Sequence, residues 1–147
     1  MLKNIKKYLT AALLGLILST PAMAQYTIRA DYGGSIVEYI SKYNSLKELQ
    51  GKLKLDGFCI SACTLFLGIV PPKSTCATPG SFFGFHSAAS GSGEYADEGT
   101  RLLWNIYPET VRKKLIDNGW DGMSHTPHPN LIYVPANEIM ETCASGS

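Results

Sequence analysis

The chain of 147 residues lacks an excess of charge of either sign, since its 13 basic and 12 acidic residues give a formal net charge of +1. Proteins that bind nucleic acid through its phosphates need a clustered positive face. The one basic cluster, Arg112-Lys113-Lys114, falls in the last turns of a predicted helix, where positive charge complements the helix dipole. We therefore expect no nucleic-acid partner.

After its first 24 residues the sequence also lacks an apolar run long enough to span a membrane. Residues 1–24 themselves have the pattern of a bacterial signal peptide. Lys3, Lys6 and Lys7 precede an apolar stretch at 11–18, and Ala22-Met23-Ala24 is a small-x-small cleavage site. Removing three of the 13 basic residues leaves 10 against 12 acidic ones, a net charge of −2. We expect a periplasmic or secreted protein with no membrane span once the signal peptide is removed.

The remaining residues, 25–147, contain no low-complexity linker and no internal repeat, which predicts a single domain. Hydrophobic periodicity predicts strands that alternate with helices, and hence an α/β fold with mainly parallel strands. Asp56-Gly57 is expected to end the second strand, and Pro108 to kink a long helix. The predicted strands are 26–30, 52–55, 75–78, 81–85 and 131–134, and the predicted helices are 35–43, 61–67, 97–118 and 136–142.

Four cysteines in an exported chain predict two disulfides. Three pairings are open. Cys59 and Cys63 are four residues apart at a predicted helix start and point along one face, which favours pairing of each with a more distant cysteine. We therefore expect the bridges Cys63–Cys76 and Cys59–Cys143.

A metal site is the competing interpretation of these residues. The cysteines could bind zinc together with His125 or His128, but a C-x3-C pair without a second close pair is a poor match to structural zinc sites. A site formed by both of these histidines and His86 would need their loop to fold over it, and solvated histidines are the simpler interpretation. We predict no metal and no cofactor.

Three separate features have the residue types of a serine hydrolase. Ser61 stands where a strand should turn into a helix, so free N–H groups lie beside its hydroxyl. His86 follows 25 residues later as a general base, and Gly33-Gly34 upstream allows a close approach of backbone to ligand. Each feature alone has an ordinary explanation: a helix cap, a structural histidine and a turn.

In this order along the chain, these motifs resemble the Clp-type serine peptidases of the crotonase-like superfamily, and especially exported relatives of that group. The resemblance covers about residues 26–140. It implies a truncated spiral of strand-helix units with mainly parallel strands. In this chain we expect the two disulfides to cross-link that spiral. It also implies that Ser61 is the nucleophile, that His86 is the general base, and that the backbone N–H groups of Gly34 and Ala62 form the oxyanion hole.

The resemblance implies a third residue that orients the histidine. Leu131 stands at the position of the family's acid, and Asn130 beside it is expected to orient His86 without supplying a charge. Asp97 or Asp121 is the alternative.

The function implied by the resemblance is hydrolysis of peptide or ester bonds, without ATP and without an ATPase partner. Self-association is a further expectation, because a truncated spiral exposes a sheet edge and apolar surface. One alternative is a non-catalytic binding protein that retains the fold. The other is a crotonase-like protein that binds acyl-thioesters, which an exported location and the lack of a basic nucleotide pocket disfavour.

Overall fold

A computed structural model describes residues 24–122 and 130–144 of the chain. The described residues form a mixed α/β fold with one five-stranded sheet. Short 3-10 helices cover Ser61–Leu65, Pro72–Ser74 and Ala136–Glu138. The strands and α-helices are β1 (Gln25–Asp31), α1 (Ile36–Glu48), β2 (Lys52–Ile60), α2 (Phe66–Ile69), β3 (Thr75–Ala77), β4 (Phe82–Phe85), α3 (Asp97–Ile106), α4 (Glu109–Asp117) and β5 (Ile132–Pro135).

Strand β2 is the centre of the sheet. It pairs in parallel with β1 on one edge, and on its other edge with β3 along its first half and β4 along its second half. Strand β5 then pairs with β4 in the antiparallel direction. The prediction of an α/β fold with mainly parallel strands is therefore confirmed.

Helix α1 begins where the sequence predicts. Ser35 is its N-cap, and the side-chain oxygen accepts a hydrogen bond from the N–H of Glu38 at 3.4 Å. The helix extends to Glu48, five residues beyond the predicted end at Tyr43. Tyr43 is fully buried and belongs to the hydrophobic core.

The prediction that β2 ends at Asp56-Gly57 is wrong, because the strand continues to Ile60. Gly57 has a φ of +141°, and the carbonyl group of Arg29 occupies the space that a side chain would need. The register with β1 shifts at this point, as it does at a β-bulge. The continuation carries the strand directly to Ser61.

The predicted kink at Pro108 is a complete break. Helix α3 ends at Ile106 and α4 begins at Glu109, with Tyr107 in an extended conformation between them. The predicted helix at 136–142 is reduced to the turn Ala136–Glu138, because the chain then pairs with β3 through Ala77 and Thr142.

The prediction of two disulfides is confirmed, but the predicted pairing is wrong. The bridges are Cys59–Cys63, with Cα atoms 5.4 Å apart, and Cys76–Cys143, with Cα atoms 4.8 Å apart. Cys59 lies in β2 and not in a helix, and the chain turns at Ser61 so that Cys63 returns beside it. All four cysteines are oxidised in pairs, so none is available as a thiolate ligand for zinc.

The two disulfides fit an exported protein, because such bonds persist in oxidising compartments. None of the helices within 24–122 and 130–144 has the length and apolar character needed to cross a membrane.

Candidate active site

Ser61 is the first residue after β2 and has a left-handed backbone conformation, with a φ of +58°. Among the non-glycine residues that the structure describes, only Gln50 shares a positive φ. Gln50 lies just past the end of α1, where left-handed residues are common. Ser61 has no such explanation, because it lies between a strand and a helix. A serine in a sharp strand-to-helix turn is the geometry of a nucleophile elbow.

Gly33 packs directly against this turn. A Cβ atom added to Gly33 would lie 2.7 Å from the carbonyl oxygen of Ile60, 2.7 Å from Cβ of Ser61 and 2.9 Å from the amide nitrogen of Ala62. Gly33 also has a φ of +81°, which L side chains rarely adopt. The site therefore requires glycine at this position.

The carboxylate of Asp31 holds the glycine loop in place. Its Oδ1 accepts hydrogen bonds from the N–H of Gly33 at 2.9 Å and from the hydroxyl of Tyr39 at 2.5 Å. Burial, together with the bond to Asp31, raises the pKa of Tyr39, so this hydroxyl stays a donor. The Gly33 contact with the elbow is thus anchored to both β1 and α1.

The two predicted oxyanion donors, Ala62 and Gly34, differ in burial and in surroundings. Ala62 is buried and is the second residue of a 3-10 helix, so its N–H has no acceptor within that helix. Gly34 is exposed, and an added Cβ would meet nothing closer than the Tyr39 ring, at 3.6 Å. Gly33 is therefore the glycine whose missing side chain leaves room for the elbow, and the donor role of the Gly34 N–H stays a prediction.

Three contacts fix the chain just after Ser61. The Cys59–Cys63 disulfide closes the turn, and the hydroxyl of Thr64 donates a hydrogen bond to the carbonyl oxygen of Ser61 at 2.6 Å. The hydroxyl of Tyr107 lies 2.7 Å from the Thr64 hydroxyl. Both Thr64 and Tyr107 are buried. The elbow is therefore held by a covalent bridge and by a buried hydrogen-bonded pair.

His86 follows the end of β4, the strand beside β2. The register pairs Ile60 with Gly84, so Ser61 and His86 leave adjacent parallel strands at the same edge of the sheet. Nδ1 of His86 lies 2.6 Å from the carbonyl oxygen of Ser87. A carbonyl oxygen only accepts, so Nδ1 carries the proton and Nε2 is the basic nitrogen.

Ser61 and His86 are brought to neighbouring strand ends but are not joined. In the part of the chain that the structure describes, no hydrogen bond links the Ser61 hydroxyl to the imidazole. Catalytic hydrogen bonds in unliganded sites are often long and tighten only with substrate. The pairing of these two residues stays a prediction.

Asn130 and Leu131 lie where the antiparallel strand β5 approaches His86. Phe85 pairs with Ile132, so continuation of the register sets Leu131 opposite His86 and Asn130 opposite Ser87. Leu131 packs on the backbone of Gly84, and Asn130 is exposed. Because Ser87 supplies the acceptor for Nδ1, an orienting role of Asn130 stays a prediction.

A role of either alternative acid stays a prediction, as it does for Asn130. Asp97 starts α3, where it forms an ion pair with Arg101 and accepts a hydrogen bond from the Tyr95 hydroxyl at 3.2 Å. Asp121 is exposed beyond the end of α4. His125 and His128 lie outside the described residues. Within residues 24–122 and 130–144, no group of three metal-binding side chains is present.

Two cavities are separate from this site. One of about 750 Å³ lies between the end of α2, the start of α4 and residues 137–142, and one of about 370 Å³ lies beside the turn at Pro79-Gly80. Neither is lined by Ser61 or His86. Cavity size alone would therefore favour a functional site away from Ser61. The large cavity is lined by threonine, lysine and glutamate side chains, but none of its lining residues has the positive φ of Ser61.

Sequence reasoning missed Thr64, Tyr107 and Asp31. Thr64 has a local signal, because a threonine three residues after Ser61 can bond back to its carbonyl. Tyr107 has none, since it is 43 residues from its partner.

No protein-family model matches this chain, and no curated protein matches it either. The Clp/crotonase-like assignment therefore depends on the motifs and is carried forward as a proposal.

Proposed function

We propose that this protein is an exported serine hydrolase of the Clp/crotonase-like type, acting on peptide or ester bonds. The observation that carries the proposal is the left-handed conformation of Ser61 at the end of β2, with Gly33 packed against it. Such a conformation costs about 1–2 kcal/mol for an L-residue. Strain of this size persists where the surrounding structure enforces it, and it concentrates at active sites.

The proposed reaction uses groups that the sheet already brings to one edge. Nε2 of His86 takes the proton from the Ser61 hydroxyl as the oxygen attacks the carbonyl carbon. The N–H groups of Ala62 and Gly34 stabilise the negative oxygen of the tetrahedral intermediate. The imidazolium then protonates the leaving amine or alcohol, and water hydrolyses the acyl-enzyme by the same route.

The carbonyl of Ser87 replaces a carboxylate in this scheme. It holds His86 in the required tautomer through Nδ1, at 2.6 Å. A neutral carbonyl stabilises the imidazolium less than an ionised acid does. We therefore expect slower turnover than in a hydrolase with a complete triad.

The compartment follows from the signal-peptide pattern and the two disulfides, and we propose the periplasm or the exterior of a bacterium. No cofactor or ATP enters the reaction. A truncated Clp/crotonase-like spiral is the fold family that we propose for the mostly parallel sheet.

A fluorophosphonate probe tests the proposal directly. Folded wild-type protein should be labelled at Ser61, as located by mass spectrometry, and Ser61→Ala should abolish labelling. His86→Gln should slow labelling about 10²–10⁴-fold, the usual contribution of a general base. Ser45→Ala, at an exposed site on α1, is the matched control and should label like wild type. Folded wild-type protein that stays unlabelled would refute the proposal.

The second candidate function is a non-catalytic binding protein with the same fold. It is favoured by one observation, the apolar Leu131 where the resemblance places an acid. Under this alternative the folded protein is unlabelled, and extended peptides raise its melting temperature without being cleaved.

A further inference from the structure

Tyr107 contacts both the turn that follows Ser61 and the strand that leads to His86. It lies in the break between α3 and α4 and is almost fully buried. Its ring packs edge-on against Phe85, the residue before His86, with ring centres 5.4 Å apart. Its hydroxyl lies 2.7 Å from that of Thr64, the residue that bonds to the Ser61 carbonyl.

The direction of the two hydrogen bonds follows from the number of protons. The Thr64 hydroxyl has one proton, and the carbonyl oxygen of Ser61 can only accept it. Thr64 therefore has only a lone pair to offer Tyr107, and the Tyr107 hydroxyl is the donor. Burial raises the pKa of Tyr107, which keeps this donor protonated. The two hydrogen bonds thus form a relay, in which Tyr107 donates to Thr64 and Thr64 donates to the carbonyl oxygen of Ser61.

We propose that Tyr107 is a positioning residue that aligns the Ser61 elbow with the strand carrying His86, with Thr64 as the link to the elbow. The proposal rests on the proposed hydrolase function. Tyr107 touches neither reacting group, and it acts by fixing the Thr64 hydroxyl on one side and Phe85 on the other. The α3–α4 break has a role in this arrangement, because an uninterrupted helix would not present Tyr107 in an extended conformation.

The test compares variants that each change one functional group of the relay. Tyr107→Phe keeps the ring against Phe85 and deletes only the hydroxyl, whereas Thr64→Val deletes the link and keeps the shape. Thr64→Ser keeps the hydroxyl and should rescue the effect of Thr64→Val. The matched control is Ser81→Ala, which loses a buried hydroxyl that accepts a hydrogen bond from the N–H of Gly57 at 3.0 Å and donates one to the Leu55 carbonyl at 3.2 Å.

The readout is the rate of fluorophosphonate labelling, separated into the maximal rate and the probe concentration at half-maximal rate. Tyr107→Phe and Thr64→Val should lower the maximal rate about 10- to 100-fold and leave the half-maximal concentration unchanged, as expected for a misplaced nucleophile. Thr64→Ser and Ser81→Ala should stay within about two-fold of wild type. Melting temperatures, measured in parallel, identify any variant that is not folded.

Two results would overturn the inference. One is a Tyr107→Phe rate within about two-fold of wild type, and the other is an equal loss in Ser81→Ala, which would indicate general loosening of the core. If wild type itself is unlabelled, the hydrolase proposal fails and the inference is judged on the NMR chemical shifts of Ser61. Shifts that leave the left-handed range in Tyr107→Phe but not in Ser81→Ala support it, and unchanged shifts refute it.

Discussion

The Cys76–Cys143 disulfide should contribute most of the covalent stabilisation of this fold. Its cysteines are 67 residues apart, whereas Cys59 and Cys63 are only 4 apart. Loop-closure entropy gives about 4.4 kcal/mol for the long bridge and about 1.9 kcal/mol for the short one at 25 °C. A loss of about 4.4 kcal/mol is a large part of the 5–15 kcal/mol that typically stabilises a domain.

The variant to measure is Cys76→Ala/Cys143→Ala, followed by urea unfolding. Trp104 and Trp120 report the transition by fluorescence, because both rings are buried and in edge contact, with centres 5.6 Å apart. We expect a loss of about 4 kcal/mol and a fall in melting temperature on the order of 15 °C. The dependence on urea should also steepen, since the unfolded chain without the bridge exposes more surface.

The same variant should leave the reactivity of folded protein unchanged, because β3 is remote from the elbow. Cys59→Ala/Cys63→Ala is the contrasting pair, since it opens the turn around Ser61 and should lower the labelling rate about 10-fold or more. A loss of under about 1 kcal/mol for the long bridge, with no change in urea dependence, would refute the entropic reasoning.

Two further predictions concern the glycine loop and the buried tyrosines. Gly33→Ala should destabilise the protein by about 2–4 kcal/mol and lower Ser61 labelling, because the new Cβ meets Ile60, Ser61 and Ala62 at 2.7–2.9 Å. Gly34→Ala should change the free energy of unfolding by less than about 1 kcal/mol, and equal losses in urea unfolding would contradict this. Burial raises the pKa of Tyr43 and Tyr107, so stability should be complete below about pH 10 and fall above it by about 1.4 kcal/mol per pH unit for each tyrosine. Tyr43→Phe should make that alkaline decline shallower in denaturation series, and an unchanged slope would refute the assignment.

Elements with local signals could be predicted from the sequence. Ser35, a favoured N-cap residue, locates the start of α1, and the proline at 108 locates the break between α3 and α4. The extension of β2 could not be predicted in this way. It depends on the bulge at Gly57, where the strand lies against the backbone of Arg29 in β1, a residue distant in the sequence.

The residues of the candidate site also differ in whether a local sequence signal identifies them. Ser61 could be selected because a strand-to-helix turn has a recognisable pattern, and parallel pairing then brings His86 to the same edge. The disulfide partner of Cys59 could not be inferred, since it depends on the backbone angle of Ser61 itself. The acceptor for Nδ1 of His86 is a main-chain carbonyl. Every residue has such a carbonyl, so the sequence does not indicate which one accepts the bond.

The attachment of residues 141–143 to β3 imposes an order on the maturation of the chain. The backbone of Ala77 bonds to Glu141 and Cys143, and Cys76 can form its native bridge only when Cys143 has been made. Cys59, Cys63 and Cys76 all emerge much earlier, so early oxidation can trap Cys76 with the wrong partner. If the local Cys59–Cys63 bridge forms first, Cys76 has no other cysteine to pair with until Cys143 follows, and only a mispaired Cys76 requires a later exchange of disulfides.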